Sequence, residues 1–394
     1  MNLERRRVAL RLAALAAGTA TVAATAVAGA ANAAPPVALS HRSVHVCTQA
    51  PAGSAACQAL VRVAQNGSVA AAATPSGFGP ADIQAAYALA GANGAGRTVA
   101  IVDAYDDPTA EADLGVYRST FGLSACTTAN GCFKKVSQTG TTTYPRKNGG
   151  WAQEISLDLD MVSAACPTCH ILLVEATTPS FANLGKAVNY AAAHGAVAIS
   201  NSYSGSDTAQ SSAYDHPGIA ITASTGDTGY GVGSPASYDT VVAVGGTSLK
   251  HSSTTRGWTE TAWSGAGSGC STLNAKPSWQ TAATSCSGKG LADVSAVADP
   301  NTGVAVYDST AYQRVAGWLV FGGTSASSPI IASVYALSGN TAGYPASYTW
   351  AHTASLNDVT GGSNGSCPTA VWCKAGAGWD GPTGLGTPNG TGAF

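Results

Sequence analysis

The sequence predicts an α/β fold in which a mostly parallel central sheet is covered by helices on both faces. Short apolar, β-branched runs recur along the chain, and segments with helical periodicity lie between them. Strands that are apolar on both faces are typical of a parallel sheet buried between two helix layers. Only 10% of the 394 residues are charged, against an average of about 25%, and 45% are hydrophobic, which excludes a disordered chain.

The predicted elements alternate along the chain. Predicted strands occupy residues 98–103, 171–175, 196–200, 219–223, 241–244 and 304–307. Predicted helices occupy residues 81–89, 151–165 and 181–194, and Gly195 ends the last of these. A further short strand at 318–321 leads into a helix rich in Ala, Ser and Ile. No internal repeat is visible, and we expect residues 75–394 to form the main domain.

The first 34 residues predict a secretory signal peptide. A basic N-terminal region is followed by an Ala/Leu/Val-rich core at 8–28, and the segment ends in the small residues 31–34. A transmembrane anchor is the alternative, but the Ala/Thr/Gly-rich composition and the cleavage-like end favour export. Residues 35–74 are rich in Ala, Ser and Pro and carry no long periodic segment, so we expect a short pro-segment or linker there. The mature protein should be secreted and extracellular.

The charge pattern excludes a nucleic-acid binder. The formal net charge is -2, and the one basic cluster lies within the predicted signal peptide. No Lys/Arg stripe remains to release counterions from a phosphate backbone. We therefore expect no nucleic-acid partner, no membrane partner after signal removal, and a monomer.

The ten cysteines predict five disulfides that each close a short loop. The sequence-adjacent pairs are Cys47/Cys57, Cys126/Cys132, Cys166/Cys169, Cys270/Cys286 and Cys367/Cys373. Such local pairs are typical of exported proteins. A metal or redox motif is the alternative for Cys166-Pro-Thr-Cys169-His170, although no second ligand cluster accompanies it.

The most specific local pattern is residues 321–329, Phe-Gly-Gly-Thr-Ser-Ala-Ser-Ser-Pro. It joins a short apolar strand to a predicted helix, so a turn of small residues can expose the Ser325 hydroxyl at a helix N-terminus. Free N–H groups there favour a developing oxyanion, as a nucleophilic serine requires. An N-cap serine followed by a proline in the first turn is the structural alternative.

This segment resembles the nucleophile segment of subtilisin-like folds, which need a base elsewhere in the chain. None of the seven histidines lies in a His-Gly-Thr type context; they are His41, His45, His170, His194, His216, His251 and His352. A Ser-His-Asp triad with Asp103 as its acid is therefore the least favoured interpretation.

A carboxylate base is available on a predicted helix. Ile155, Leu159 and Val162 form an apolar stripe at helical spacing, and Glu154 and Asp158 lie one turn apart on the same side. Two buried carboxylates this close would share a proton. A solvated acidic face is the alternative, although neighbouring carboxylates stand out in a chain so poor in charge.

Ser325 with Glu154 and Asp158 resembles the sedolisin family, the serine-carboxyl peptidases, which have a subtilisin-like three-layer fold. The resemblance covers nearly all of residues 75–394. Three separate motifs carry it. The first, Pro75-Ser76-Gly77-Phe78-Gly79-Pro80-Ala81-Asp82-Ile83, is similar to the opening of the family's mature domain, and the second, Thr225-Gly226-Asp227-Thr228-Gly229, is similar to its oxyanion segment. The third, Asp358-Val359 with Gly376-Ala377-Gly378-Trp379-Asp380, is similar to its calcium site.

The resemblance implies a peptidase that acts on protein or peptide substrates in acid. Ser325 would attack the peptide carbonyl, Glu154 would take its proton and deliver it to the leaving amine, and Asp158 would orient and tune Glu154. A protonated Asp227 would donate to the oxyanion, whereas a turn residue between two glycines is the alternative for that position.

One structural calcium ion is the expected cofactor. Two carboxylates, of Asp358 and Asp380, and the backbone carbonyls of Val359, Gly376 and Gly378 would supply five oxygens, with water as the sixth. An Asp/Gly-rich surface turn is the alternative.

The chain also departs from the family pattern. About 40 residues separate the predicted signal peptide from the expected start of the mature domain, where relatives often carry a long pro-domain. The first core strand ends in Asp103 where we would expect Glu in several relatives, and the expected substrate-binding edge at 202–205 lacks a Trp-Gly pair. These differences leave one alternative function, a non-catalytic secreted binding protein that retains the peptidase fold, although such a protein should have lost part of the catalytic set.

Overall fold

A mostly parallel eight-stranded sheet forms the centre of the molecule. The computed structural model describes residues 41–65, 73–313 and 315–394. Its strands are β1 (His41–His45), β2 (Ala56–Cys57), β3 (Leu60–Ala64), β4 (Thr98–Ala104), β5 (Phe133–Ser137), β6 (His170–Ala176), β7 (Ala196–Asn201), β8 (Tyr203–Ser206), β9 (Ala220–Ser224), β10 (Gly233–Ser234), β11 (Val242–His251), β12 (Trp258–Ala262), β13 (Gly269–Ala275), β14 (Gly288–Leu291), β15 (Val294–Val297), β16 (Val304–Tyr312), β17 (Val315–Gly322), β18 (Leu356–Asn357) and β19 (Thr387–Pro388). Its α-helices are α1 (Pro80–Ala86), α2 (Ala110–Thr120), α3 (Gly149–Ala165), α4 (Phe181–Ala193), α5 (Thr324–Ser338) and α6 (Pro345–Ala351).

The central sheet has the strand order β12-β11-β9-β7-β4-β6-β5, with β15 also paired to β11. Every pair is parallel except β11 with β12. All residues of β4 after Thr98 are buried, as expected for a strand that is covered on both faces. The predicted α/β class with a mostly parallel sheet is confirmed.

Helices α3 and α5 pack against each other and against the sheet, while α4 packs on β4, β6 and β7. The buried side of α4 carries Leu184, Val188 and Ala191, spaced as one helical face. By contrast, α3 is buried around its whole circumference from Gly150 onward. It is the central helix of the fold, and polar side chains on it are therefore enclosed by protein.

The predicted helix at 81–89 ends three residues early, at Ala86. Ala88 adopts a positive φ of 53°, which a right-handed helix cannot accommodate, so Leu89 contributes to the core from a turn. The predicted strand at 241–244 extends to His251 because β11 pairs with three strands in succession.

Residues 41–64 pack against the domain that follows them. Strand β3 pairs with β1 on one side and with β17 on the other, and β2 pairs with β8. The described residues from His41 to Phe394 cluster as one compact unit. Removal of residues 35–74 as a pro-segment stays a prediction, and the predicted signal peptide at 1–34 lies outside the described residues.

All five predicted disulfides are present. The Cys166–Cys169 bond means that neither thiol is available as a metal ligand, so the metal interpretation of this motif is wrong, while the redox interpretation is not tested. Among the helices that the structure describes, none combines the length and the apolarity needed to cross a membrane.

Candidate active site

Ser325 lies in the first turn of α5, directly after β17. Its side chain is fully buried, and its hydroxyl donates to Oε2 of Glu154 at 2.8 Å. The helix N-cap is Gly323, two residues earlier, so the interpretation of Ser325 as an N-cap residue is wrong. A serine within the first turn holds its hydroxyl beside backbone N–H groups that lack intrahelical partners.

Gly323 is required by the backbone path and by its surroundings. Its φ of +95° lies in the region that L side chains rarely adopt. A Cβ built on Gly323 would lie 1.8 Å from the carbonyl oxygen of Gln58 and 2.5 Å from Oδ2 of Asp227. The missing side chain therefore leaves a cradle on which these two oxygens converge.

Glu154 and Asp158 are both fully buried on α3. The interpretation of this pair as a solvated acidic face is therefore wrong. Helix α3 packs along α5, which brings Glu154 to Ser325 across 171 residues of sequence. The pKa of Glu154 is raised well above its ordinary value by burial and then by the charge of Asp103, although the hydrogen bond from Ser325 opposes the rise.

Asp103 joins this pair from the carboxyl end of β4, the edge of a parallel sheet where sites commonly form. Burial raises its pKa to about 8. The pKa of Asp158 is likewise raised, by burial first and then by the charges of Asp103 and Glu154. Sequence analysis named Asp103 as the acid of the least favoured triad and as a departure from the family pattern. Here it is the third member of a carboxyl cluster that retains protons above the usual pH range of carboxylic acids.

Asp227 lies beside the first residues of α5. Its Oδ1 accepts from the backbone N–H and the hydroxyl of Thr324, at 2.8 and 2.7 Å. Its Oδ2 is buried next to the Gly323 cradle and accepts no hydrogen bond from any described residue. Burial raises the pKa of Asp227 to about 7, against the opposing effect of the two Thr324 bonds. Asp227 therefore lies where a neutral carboxyl can donate through Oδ2.

The segment at 202–205 forms part of β8 and pairs with the N-terminal segment. Ala56 is opposite Ser204, and Cys57 is opposite Tyr203, in an antiparallel register. The Gln58 N–H donates to the Ser202 carbonyl at 3.1 Å. The expected substrate-binding edge is thus covered by an extended peptide of the same chain.

Two residues that sequence analysis did not single out contact the site directly. The Ala59 N–H donates to Oε2 of Glu154 at 2.9 Å, and Gln58 contributes the carbonyl oxygen at Gly323. No sequence signal marks them, because they lie in an Ala/Ser/Pro-rich stretch without long periodicity. A cleft of about 500 Å³ borders Gln58 and extends along Ser204–Ser206 and Thr225–Gly229.

The residues predicted to bind calcium lie together in the C-terminal loops. The Gly378 N–H donates to Asp358 at 2.9 Å, and the Gly376 N–H donates to Asp380 at 3.1 Å. Burial raises the pKa of Asp380 to about 7, and the charge of Asp358 adds to the rise. Within the described ranges, no group of three or more His, Cys, Asp or Glu side chains forms a metal-type cluster. Carboxylates such as those of Asp358 and Asp380 are hard ligands that suit Ca²⁺, and the carbonyls of Val359, Gly376 and Gly378 as further ligands stay a prediction.

A second buried acidic cluster lies on β16 and its neighbours. Burial raises the pKa of Asp308 to about 8 and that of Asp107 to about 6. Asp308 accepts from the Thr310 N–H at 2.8 Å, and Asp113 accepts from Thr109 at 2.7 Å. None of the contacts given for this cluster involves Ser325, and its raised pKa values predict that the stability of the fold depends on pH.

Comparison with known proteins gives relatives that include kumamolisin and sedolisin. Kumamolisin from Bacillus sp. (strain MN-32) is 30% identical over 366 residues, which cover 81% of this chain and 63% of kumamolisin. Sedolisin from Pseudomonas sp. (strain 101) is 34% identical over 177 residues, 40% of this chain and 29% of sedolisin. The chain thus spans less than two thirds of the length of these curated relatives. No family model matches the sequence.

A solved structure supports the fold independently. The Pseudomonas sedolisin structure, a serine-carboxyl proteinase complexed with two molecules of pseudo-iodotyrostatin, superimposes with a TM-score of 0.65 at 24% identity. The match covers 80% of this chain and 96% of that one. The 30% identity to kumamolisin over four fifths of this chain supports membership of the sedolisin family, and the solved structure supports the fold.

Proposed function

We propose that this protein is a secreted, acid-active serine-carboxyl endopeptidase that hydrolyses peptide bonds of proteins or peptides. The observation that carries the proposal is the 2.8 Å hydrogen bond from the Ser325 hydroxyl to Glu154, inside a buried carboxyl cluster. A serine hydroxyl is a weak nucleophile until a positioned base accepts its proton. Glu154 is the base that the geometry offers.

The reaction follows from these contacts. Glu154 removes the Ser325 proton as the hydroxyl attacks the substrate carbonyl, and it later donates that proton to the leaving amine. The pKa values of Glu154, Asp158 and Asp103 are all raised, so only a fraction of the molecules carries one negative charge on the cluster in acid, and Glu154 acts as the base in that fraction. The attack leaves the substrate's acyl group bound to Ser325 as an ester. Water then hydrolyses this ester, with Glu154 accepting the proton of the water and returning a proton to Ser325.

Asp227 supplies the donor for the oxyanion. Its Oδ2 faces the cradle at Gly323, and its raised pKa keeps the carboxyl neutral in acid. An ionised Asp227 would repel the oxyanion, so activity should fall as the pH approaches and passes 7. The acid preference therefore results from the need for a neutral Asp227, whereas the need for one charge on the cluster limits activity at the lowest pH.

A structural calcium ion fits the C-terminal loops. Asp358, Asp380 and the carbonyls of Val359, Gly376 and Gly378 would hold it. Calcium would neutralise the two carboxylates and stabilise the last loops of the chain. The predicted signal peptide, the local disulfides and the relatives together support secretion. A monomer, with no nucleic-acid or membrane partner, completes the proposal.

A non-catalytic binding protein with the same fold remains the second candidate. The altered substrate edge at 202–205 favours it, but the intact hydrogen bond between Ser325 and Glu154 opposes it. The two functions differ in one measurement, the hydrolysis of denatured protein at pH 4. We expect hydrolysis by the parent and at least a 1,000-fold loss in Ser325→Ala, by the usual cost of removing a nucleophile. Equal rates for the parent and the variant would refute the peptidase.

A further inference from the structure

A lysine and two carboxylates meet near the carboxyl edge of the central sheet, outside the site around Ser325. Lys135 lies on β5, Glu175 lies near the end of β6, and Asp106 follows β4 by two residues. The strand order β4-β6-β5 brings these positions together. Leu173 is the β6 partner of Lys135, and Glu175 lies two residues further on, so it is on the same face of the sheet. The mechanism proposed above uses none of the three residues.

The Lys135 ammonium contacts both carboxylates. Its Nζ lies 2.5 Å from Oδ1 of Asp106 and 3.1 Å from Oε1 of Glu175. The side chains of Lys135 and Asp106 are only 12% and 14% exposed, and that of Glu175 is fully buried. Nζ also donates to the Asp107 carbonyl, and the centroid of the Tyr144 ring lies 4.4 Å from it. Little water therefore reaches the contact between Nζ and the Asp106 carboxyl.

This contact holds an amine and a carboxyl at a distance from which an amide can form. A nitrogen that is hydrogen-bonded to a carboxyl oxygen lies about 3 to 3.5 Å from the carboxyl carbon, which is a near-attack separation. Well-oriented intramolecular reactions have effective molarities of roughly 10⁵ M or more, which favours loss of water between the two groups. An ordinary ion pair is the alternative, and a group that can move protons distinguishes the two.

Glu175 can move those protons. Burial raises its pKa to about 8, against the opposing effect of the Lys135 charge, and its Oε2 accepts no hydrogen bond from any described residue. A carboxyl with a pKa near neutrality gives and takes protons readily. Burial lowers the pKa of Lys135, but the charges and hydrogen bonds of Glu175 and Asp106 outweigh it, so this pKa is raised. The neutral amine is thus a minor species, and amide formation should be slow without Glu175.

We propose that Lys135 and Asp106 become joined by an isopeptide bond, with Glu175 as the proton carrier. One ammonium proton of Lys135 first passes to the Asp106 carboxylate, and Nζ then bonds to Cγ of Asp106. Glu175 takes a second proton from Nζ and returns it to the departing hydroxyl, so the C–O bond breaks and one water leaves. An ammonium and a carboxylate thus become one amide and one water, and Glu175 ends as it began.

The chain contains a similar ion pair without a proton carrier. Nζ of Lys289 lies 2.6 Å from Oδ2 of Asp293, and both side chains are fully buried. Among the described residues, Lys289 otherwise donates only to the Val241 carbonyl, and no second carboxylate contacts it. Asp293 also accepts from the side chains of Gln280 and Trp350, which hold it as an acceptor. This pair should therefore stay an ion pair, although its contact is similarly short.

The bond ties β5 to the corner that follows β4, three residues beyond Asp103 of the carboxyl cluster. An ion pair weakens when its carboxylate gains a proton in acid, whereas an amide carries no charge. The link therefore secures this corner at the acid pH proposed for the enzyme. Its formation does not depend on the peptidase, because Ser325 takes no part in it.

The test is a peptide map of the full chain carrying Ser325→Ala, which excludes self-digestion and keeps the two proposals separate. The chain is purified in denaturant, refolded under oxidising conditions and sampled over time, and each sample is denatured, reduced and cut with trypsin. We expect residues 98–118 and 135–146 to appear as one product, lighter by one water than the sum of the two peptides, because trypsin does not cut after an acylated lysine. Recovery of 98–118 and 136–146 as separate peptides from the folded chain at every time would refute the bond.

Lys135→Arg and Lys134→Arg form a matched pair of variants. Arginine at position 135 keeps the positive charge but cannot be deprotonated to a nucleophile, so the linked product should be absent. Lys134 is the exposed neighbour on β5, and Lys134→Arg should link at the parent rate. Linkage in Lys135→Arg would refute the assignment of the amine, and thermal unfolding confirms that both variants fold.

Glu175→Gln tests the proton carrier. A glutamine keeps the shape of the side chain but cannot shuttle a proton, so linkage should slow by about 100-fold or more. An unchanged rate in this variant would refute the role of Glu175. If the variant does not fold, the Lys289–Asp293 pair of the parent provides the same test, because a link there at a similar rate would show that no carrier is needed.

Discussion

Asp227→Asn should uncouple the oxyanion donor from pH. Oδ1 of Asp227 accepts two hydrogen bonds from Thr324, so an asparagine would place its own oxygen there and its NH₂ group at the Gly323 cradle. The variant thus retains a donor that cannot ionise. An amide is a weaker donor than a carboxylic acid, and we expect about a tenfold loss at pH 4, less than the ~10² to 10³ of a deleted donor.

The size of the pH effect follows from the pKa of Asp227. With a pKa of about 7 beneath a bound peptide, the carboxyl is almost wholly neutral at pH 5 and only about 1% neutral at pH 9. The parent should therefore lose about 100-fold in kcat between these pH values, whereas Asp227→Asn should lose less than about threefold from this cause. The two profiles should converge or cross above pH 7.

The pH at which activity declines should also differ between kcat and kcat/KM. The pH dependence of kcat reports the enzyme–substrate complex, and that of kcat/KM reports the free enzyme. Burial is the main cause of the raised pKa of Asp227, and Gln58 and Asp227 line the same cleft. A bound substrate covers this cleft as well, so the decline of kcat/KM should begin at a lower pH than the decline of kcat.

The assay is hydrolysis of a quenched fluorogenic peptide from pH 3 to pH 9 by the purified enzyme. Asp215→Asn is the control, because Asp215 is an exposed aspartate that accepts from the Tyr344 hydroxyl. Its profile should match that of the parent. An Asp227→Asn profile that superimposes on the parent after scaling would show that another group controls the alkaline decline.

Two further predictions concern stability. Burial raises the pKa of Asp308 to about 8, so the contribution of its protonated carboxyl to the free energy of unfolding is fully present below about pH 4 and is lost as the pH rises through 8. Thermal unfolding of the parent should therefore show a lower Tm at pH 8 than at pH 4. Asp308→Asn should remove up to about 5 kcal/mol of this pH dependence. An unchanged pH slope in Asp308→Asn would contradict this assignment. Calcium at about 100 times its Kd should raise the Tm of the parent by about 5 °C, and a chelator should reverse this rise. The Tm of Asp358→Asn should respond to neither calcium nor chelator. Metal analysis that finds no calcium in the folded parent would refute the calcium site.

Sequence patterns predicted the parts of the site that lie on regular elements. Glu154 and Asp158 stand one turn apart on a helix, and Ser325 follows a strand through small residues, so local spacing was sufficient. The contact between α3 and α5 that joins them depends on packing across 171 residues, and only the family resemblance pointed to it. The site roles of all these residues stay predictions until activity is measured.

The N-terminal segment shows why other parts could not be predicted. β3 has five residues, and its partner β17 lies more than 250 residues further along the chain. A short strand between two sheet edges needs no long periodic pattern, because the edges supply its hydrogen bonds. The contribution of Asp103 was hidden for a related reason, since a single carboxylate at the end of an apolar strand does not show which side chains it will meet.

The local disulfides affect how this chain reaches its fold. Each closes a loop whose cysteines are 3 to 16 residues apart, so the partners meet without any long-range structure. The sheet, by contrast, has a high contact order, and parallel pairings of distant strands form slowly. Oxidation can therefore precede the assembly of the sheet without trapping a wrong topology. The covalent bonds secure the loops, while the order of the strands is left entirely to non-covalent folding.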